Sequence, residues 1–145
     1  MLRQLLVGGA ASVAAVAIHA LVMTLVVRVA AGTAARDPAW PSLHLAGTMV
    51  ATVLVLMLAH VLEVLAWAFV YRLAGAAPAG ATVYFAFVNY TTLGYGDIVP
   101  AERWRLLGPM AAMNGVLMFG WSTAVIFEVL RKSLPQRSRA MTDAS

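Results

Sequence analysis

The sequence predicts an all-α membrane protein with three spanning helices and one shorter helix that enters the membrane without crossing it. Of the 145 residues, 62% are hydrophobic and 11% are charged, a balance that a soluble core of this size cannot bury. Three apolar segments exceed the length of about 20 residues that crosses a bilayer, and they are 4–31, 45–73 and 104–131. A fourth, 79–91, would span only about 20 Å as a helix. We expect one membrane domain over 1–145.

The first apolar segment, 4–31, could also be a secretory signal, because Arg3 precedes an alanine-rich run. The segment is longer than an ordinary signal core, and no clear cleavage site precedes a soluble domain. We therefore expect a retained helix, followed by a short loop in which Trp40 suits a membrane interface. At the other end, 133–145 reads as a disordered tail.

The positions of the charged residues indicate a membrane partner rather than a nucleic-acid partner. The net charge of +4 and a pI near 10.1 raise the question of a nucleic-acid partner, but the Lys and Arg residues lie mostly at helix ends or in the tail, without a basic stripe. We expect a lipid bilayer and no nucleic acid as the partner. No helix carries Arg at every third position, which argues against voltage sensing. With no cysteine, disulfide and thiolate chemistry are excluded.

A glycine-containing run, TTLGYGD at 91–97, follows the short helix. A cation that enters a narrow pore loses most of its water, and a ring of backbone carbonyls can replace that water. To aim successive carbonyls at one axis, a strand must alternate between ordinary and left-handed dihedrals, which Gly94 and Gly96 adopt without a Cβ penalty. The alternative is a glycine-rich turn between two membrane helices.

The run is similar to Thr-Thr-Val-Gly-Tyr-Gly-Asp of the potassium channel pore-domain family of the two-helix type, and it departs from that pattern only at Leu93. The departure keeps the carbonyl but changes the packing behind it. The resemblance implies passive, potassium-selective conduction, with an extra N-terminal helix and no cofactor besides the permeant ion. Because a ring needs four strands and the chain holds one such run, it also implies a homotetramer.

The same resemblance assigns roles along the filter. It implies filter residues at Thr92, Leu93, Gly94, Tyr95 and Gly96, the first four being potassium ligands. Thr92 would add its hydroxyl at the inner end, and Tyr95 would brace the strand through its ring. Thr91 and Asp97 would support the filter, with the Asp97 carboxylate at the outer mouth. Some family members pair this aspartate with a carboxylate in the pore helix, but Val88 stands at that position here.

The last helix also resembles pore-lining inner helices of this family, in which a glycine precedes a Phe-Gly pair. The resemblance implies a hinge at Gly115 and cavity-lining side chains at Val116, Phe119 and Thr123, which fall at i, i+3 and i+7. Small residues also allow close helix packing without a further role. By the family's convention the filter enters from outside. We therefore expect an external N-terminus and a cytoplasmic C-terminus in the plasma (inner) membrane.

Three ionisable side chains inside the predicted helices are not explained by the filter: His19, His60 and Glu63. Such groups are costly in a membrane and suggest function. Glu63 could support the filter through the rear of the pore helix near Asn89 or Tyr90. The three could form a pH-responsive cluster. The purely structural alternative is a pair, His60 with Glu63 or with a partner on the first helix.

Two other classes of function stay open at this point. His19, His60 and Glu63 match a two-histidine, one-carboxylate metal site of an intramembrane enzyme, although no further ligand or base set stands at recognisable spacing. The chain could instead be a non-conducting or accessory subunit that keeps the pore fold. The intact filter run favours a channel, and we predict that the protein is not an enzyme.

Overall fold

The computed structural model describes residues 1–33 and 40–134, and these are entirely helix and irregular connection, with no strand. The helices are α1 (Leu2–Thr33), α2 (Pro41–Ala74), α3 (Thr82–Tyr90) and α4 (Leu107–Ser133), with a 3-10 turn at Glu102–Trp104. Three helical segments are long and apolar enough to cross a membrane. The predicted all-α class with three spanning helices is confirmed. The predicted tail beyond Leu134 lies outside the described residues.

The two ends of α2 follow from proline and glycine. The helix begins at Pro41 rather than at residue 45, because proline is well suited to the first helical turn, where no N–H donor is needed. At the other end Gly75 adopts a left-handed conformation with φ 61°. Its N–H bonds the Arg72 carbonyl at 3.2 Å, and the next N–H bonds the Tyr71 carbonyl at 2.9 Å. This C-cap stops the helix and turns the chain back toward the bundle.

Both helices that flank the filter begin later than predicted. The short helix was expected over 79–91, but the Ala81 N–H bonds the Pro78 carbonyl at 2.9 Å in a turn, and α3 follows it. The last helix begins at Leu107 rather than at residue 104. Pro109 therefore lies in its first turn, where a missing N–H costs little.

The first and last helices run parallel to each other. Near their starts the Leu106 N–H donates to Gln4 Oε1 at 2.9 Å, and further along Asn114 Nδ2 donates to Ser12 Oγ at 2.8 Å. α2 runs antiparallel to α1 and α4. Its first half packs near the end of α1, and its last turns pack near the starts of α1 and α4. The end of the bundle at which α2 ends and α4 begins is called the filter end below.

Two buried clusters hold the bundle together. The cluster at the filter end is rich in aromatic residues and includes Trp67, Tyr71, Phe85, Tyr90 and Leu107. The cluster at the opposite end is aliphatic and joins all three long helices through Met23, Val26, Leu56, Val125 and Val129. Each buried side chain of this size contributes about 1.5–3 kcal/mol if the alternative is water. In lipid the gain comes from close packing instead.

The segment between α2 and α4 enters the bundle and returns to the same end. α3 packs between α2 and α4 and reaches Glu63 with its last residue, Tyr90. By helical rise Glu63 lies about 16 Å inside the end of α2. The chain then returns to the filter end, where the Ala101 N–H bonds the Ala76 carbonyl at 2.9 Å. The short helix is therefore re-entrant.

Candidate functional site

The run 92–96 that follows α3 forms no β-ladder in the described parts of the chain and is called the strand below; it alternates in backbone conformation. Gly94 and Gly96 have φ 59° and 77°, the left-handed dihedrals that the sequence indicates for them. Thr92 shares this conformation, with φ 61°. For a β-branched residue this geometry costs about 1–3 kcal/mol, and such strain concentrates at functional sites. Sequence reasoning missed the strain at Thr92.

The strand's N–H groups point back to the pore helix. The Thr92 N–H bonds the Asn89 carbonyl at 2.9 Å, and the Leu93 and Gly94 N–H groups share the Val88 carbonyl at 2.9 and 3.3 Å. Within the described parts of the chain, no carbonyl oxygen of 92–96 accepts a hydrogen bond. These oxygens need water, ions or a partner, because an unsatisfied backbone group at membrane depth is expensive.

The side chains of the strand make few contacts with other described residues of the same chain. Leu93 is 53% exposed and Tyr95 is 68% exposed. Tyr95 makes no hydrogen bond or ring contact with the described residues of its own chain, so its bracing role stays a prediction. The Thr92 hydroxyl bonds the Thr91 carbonyl at 2.6 Å. Its role as a potassium ligand likewise stays a prediction.

The far end of the strand is tied to the first turn of α3. The Tyr84 hydroxyl donates to Asp97 Oδ2 at 2.6 Å, while Asp97 Oδ1 accepts the Ile98 N–H at 3.1 Å. This hydrogen bond to a carboxylate raises the pKa of the Tyr84 phenol above its ordinary value. Sequence analysis noted that Val88 offers Asp97 no partner, but it did not find Tyr84, which lies one helical turn before Val88.

The unexplained ionisable residues come together behind the strand. His19 Nδ1 lies 2.7 Å from Glu63 Oε1, and both side chains are completely buried. The Tyr90 hydroxyl donates to Glu63 Oε2, and His60 Nδ1 lies 3.3 Å from the same oxygen. The expected contact of Glu63 with the end of the pore helix is therefore present at Tyr90. Asn89 instead donates to the Phe85 carbonyl of its own helix.

A fifth residue, Ser122, joins this group from α4. Its Oγ lies 3.0 Å from His60 Nε2, while His60 Nδ1 also lies 3.2 Å from the Tyr90 hydroxyl. His19, His60, Glu63, Tyr90 and Ser122 are called the histidine–glutamate cluster below. It links all four helices. Sequence analysis did not find Ser122, although a hydroxyl in a spanning helix is a weak signal for such a contact.

The cluster was tested for its fit to a metal ion. The candidate ligand atoms of His19, His60 and Glu63 lie within 4.8 Å of one another. Two ligands of one tetrahedral zinc lie about 3.3 Å apart, whereas His19 Nδ1 and Glu63 Oε1 are only 2.7 Å apart. Both carboxylate oxygens already accept hydrogen bonds, including one from Tyr90. The arrangement is that of a hydrogen-bonded network rather than of a metal centre.

The inner face of α4 combines a close approach with an exposed stripe. Gly115 is buried, and a Cβ at this position would overlap the Tyr90 carbonyl. Val116, Phe119 and Thr123 lie on the exposed side of the helix. The centroid of the Phe119 ring lies 4.8 Å from that of the His60 ring. A Cβ at Gly120 would meet nothing within 4 Å. The helix is continuous through Gly115, whose role as a hinge stays a prediction.

These features define a multi-pass membrane protein with a re-entrant pore loop. A family model described as "Ion channel" matches residues 57–132, just over half of the chain. The chain belongs to this ion channel family, which favours ion conduction over catalysis. The match includes Glu63, α3, the filter run and nearly all of α4, while α1 lies outside it. Comparisons with curated proteins and with solved structures gave no match.

Proposed function

We propose that the protein is a potassium-selective channel that conducts passively through a homotetrameric pore. One observation carries the proposal: the strand 92–96 alternates in φ, bonds the N–H groups of Thr92, Leu93 and Gly94 to α3, and leaves its carbonyl oxygens without a hydrogen bond in the described parts of the chain. A row of such oxygens can replace the hydration shell of a potassium ion. In this proposal the ion is bound by the carbonyls of Thr92, Leu93, Gly94 and Tyr95, with the Thr92 hydroxyl at the inner end.

The exposure of the strand supports a tetramer. All residues of 91–97 are exposed in one chain, yet irregular backbone at membrane depth requires surrounding protein or water. Four copies around one axis would supply both. The exposed stripe of Val116, Phe119 and Thr123 would then line the cavity below the filter. The assembly is tested by the mass of the purified protein, which we expect to be four times the 15.4 kDa of one chain.

The cluster behind the filter supports a second part of the proposal. Tyr90, the last residue of α3, immediately precedes the run at 91–97 and is held by Glu63. Glu63 would therefore fix the base of the filter. Arg131 and Lys132 lie at the end of α4 away from the filter end, and the proposal puts that end in the cytoplasm by the family's convention that the filter enters from outside.

The test is ion flux from proteoliposomes that hold the purified full chain. We expect barium-sensitive flux that favours potassium over sodium. Gly94→Asp should abolish it, because aspartate is strained at positive φ and adds a charge beside the ion path. Gly80→Asp makes the same chemical change at an exposed loop position with nothing within 4 Å, and it should conduct normally.

Two outcomes would contradict the proposal in different ways. Equal flux of potassium and sodium from the unmodified protein would refute selectivity while leaving a channel. No flux from a folded tetramer over a range of lipids and pH would favour a non-conducting or accessory subunit. Equal loss in Gly94→Asp and Gly80→Asp would show that the effect of the first variant is not specific to the filter.

A further inference from the structure

The carboxylate of Glu63 is buried inside the bundle without a Lys or Arg partner in the described parts of the chain. Its side chain is completely buried, and none of the Lys and Arg residues in the described parts of the chain pairs with it. Its hydrogen-bond partners are His19, His60 and Tyr90. An uncompensated charge in such a place costs several kcal/mol, so the source of compensation has to be within the cluster.

The hydrogen-bond distances limit where the protons of the network can lie. An ionised Glu63 only accepts hydrogen bonds, so the atoms facing it must be donors: His19 Nδ1–H, His60 Nδ1–H and the Tyr90 hydroxyl. If each imidazole carries only this one proton, both histidines are neutral. The cluster then has a net charge of −1. One further proton makes it neutral.

The geometry provides a place for that proton on one histidine only. His60 Nε2 lies 3.0 Å from Ser122 Oγ, and a hydroxyl can either donate or accept a hydrogen bond. His60 can therefore be doubly protonated with a partner at each nitrogen. His19 Nε2 is buried and has no hydrogen-bond partner. A second proton on His19 would leave an unsatisfied N–H.

We propose that the histidine–glutamate cluster is a proton-binding site in which His60 holds one exchangeable proton that balances Glu63. The groups around it are His19 from α1, Tyr90 from α3 and Ser122 from α4, together with the rings of Trp121 and Phe119. Of these, only His19 and Tyr90 can titrate. Loss of the proton leaves an uncompensated charge of −1 buried where α2 meets Tyr90, which lowers the stability of the cluster that holds the base of the proposed filter.

The sign of the pH dependence follows from proton counting. The folded cluster holds one exchangeable proton, whereas the two histidines in the unfolded chain hold two at low pH and none at high pH, with a midpoint of about 6.5. Stability should therefore rise with pH up to about 6.5 and fall above it, until the folded state releases its proton. Without a bound proton, stability would rise and then stay level.

The experiment is thermal and chemical unfolding of the purified full chain in detergent with EDTA, from about pH 5 to about pH 9. Above about pH 6.5 the unfolding equilibrium constant of the unmodified protein should increase by up to about tenfold per pH unit. Glu63→Gln removes the charge that holds the proton, so its stability should stay level there. His44→Gln, which removes the third histidine outside the cluster, should behave like the unmodified protein.

A second measurement keeps the proposal testable if Glu63→Gln does not fold. The second measurement is ¹⁵N-histidine NMR of the unmodified protein at about pH 7.5, which is above the ordinary pKa of histidine. One of the three rings should be doubly protonated. His44→Gln should retain this signal. Three singly protonated rings would refute the proposal, as would a stability profile of Glu63→Gln that falls above about pH 6.5 like that of the unmodified protein.

The effect of this proton on conduction rests on the proposed channel function. If Tyr90 loosens when the proton leaves, potassium flux should decrease as pH rises above about 6.5, and Glu63→Gln should remove that dependence. Absence of any flux, together with the predicted stability profile, would refute the channel proposal and leave the proton site. Potassium-selective flux with a level stability profile above about pH 6.5 would refute the proton site and leave the channel proposal.

Discussion

The hydroxyl of Tyr84 lies 2.6 Å from the carboxylate of Asp97 and donates a hydrogen bond to it. This contact joins the first turn of the pore helix to the residue that follows the filter. Together with the backbone hydrogen bonds from Leu93 and Gly94 to Val88, it ties both ends of the strand to the same short helix. The geometry of the run 91–97, the proposed filter, therefore depends on α3.

Tyr84→Phe removes this hydrogen bond and keeps the ring. Because the outer end of the strand is then tied to α3 only through the backbone, we expect a lower potassium-to-sodium flux ratio or a faster decline of flux with time. Paired potassium and sodium flux from proteoliposomes measures both. Unchanged selectivity and unchanged persistence of flux would show that Asp97 is held by other contacts.

The same contact predicts a titration at high pH. Because Asp97 raises the pKa of Tyr84, the neutral, hydrogen-bonded phenol persists above the ordinary tyrosine value of about 10. Its contribution to stability is present below that value and is lost as pH rises through the higher folded-state value. The difference in tyrosinate absorbance between the unmodified protein and Tyr84→Phe should show a step above the ordinary tyrosine value.

Gly115→Ala should be strongly destabilising. The added methyl group would overlap the Tyr90 carbonyl, which is backbone and cannot rotate away. Overpacking of this kind costs about 1–3 kcal/mol in the free energy of unfolding, and occasionally more. Gly120→Ala is the matched control on the same helix, where the methyl group meets nothing within 4 Å. Chemical denaturation compares the two, and equal stabilities would contradict the close approach.

Tyr90→Phe should cost about 1.5–3 kcal/mol, because it removes a hydrogen bond to a buried carboxylate. A double-mutant cycle with Glu63→Leu, which cannot accept the hydrogen bond, separates this interaction from the other effects of each change. We expect a clear coupling energy in the free energy of unfolding. Additive single effects would mean that the contact between the two side chains contributes nothing to stability.

Ser12→Ala should loosen α1 from α4. The Ser12 hydroxyl accepts a hydrogen bond from Asn114 at 2.8 Å, and such interhelical bonds contribute about 0.6–2 kcal/mol in membranes. Thr24→Val is the control, because the Thr24 hydroxyl bonds only the Ala20 carbonyl of its own helix. Unfolding in detergent should show a larger loss for Ser12→Ala. The reverse order would contradict this role.

Much of the fold could be predicted from composition and length alone. Three long apolar runs in a chain without a soluble core leave few alternatives, and the short run between them could only be re-entrant. The helix ends were less accurate, because Pro41 and Pro109 occupy first turns where a proline does not interrupt a helix. In a sequence, such a proline is consistent either with a loop or with the first turn of a helix.

The candidate site was predicted in part. The sequence marks Gly94 and Gly96 as positions for positive φ, but nothing in it marks Thr92, since that strain is imposed by the glycine residues and helix carbonyls around it. The sequence predicted that His19, His60 and Glu63 could form one cluster, because all three are ionisable side chains inside predicted membrane helices. That Ser122 completes the cluster depends on the rotation of α4, which the sequence does not specify.

The contact between Gly115 and the Tyr90 carbonyl has a mechanical consequence. At most helix crossings side chains separate the two backbones and can change rotamer to absorb a small shift. Here main chain meets main chain, so there is no compliant layer between α4 and the base of the filter. A tilt of α4 about this point has to displace Tyr90 or bend the helix elsewhere, and the two elements form one stiff joint.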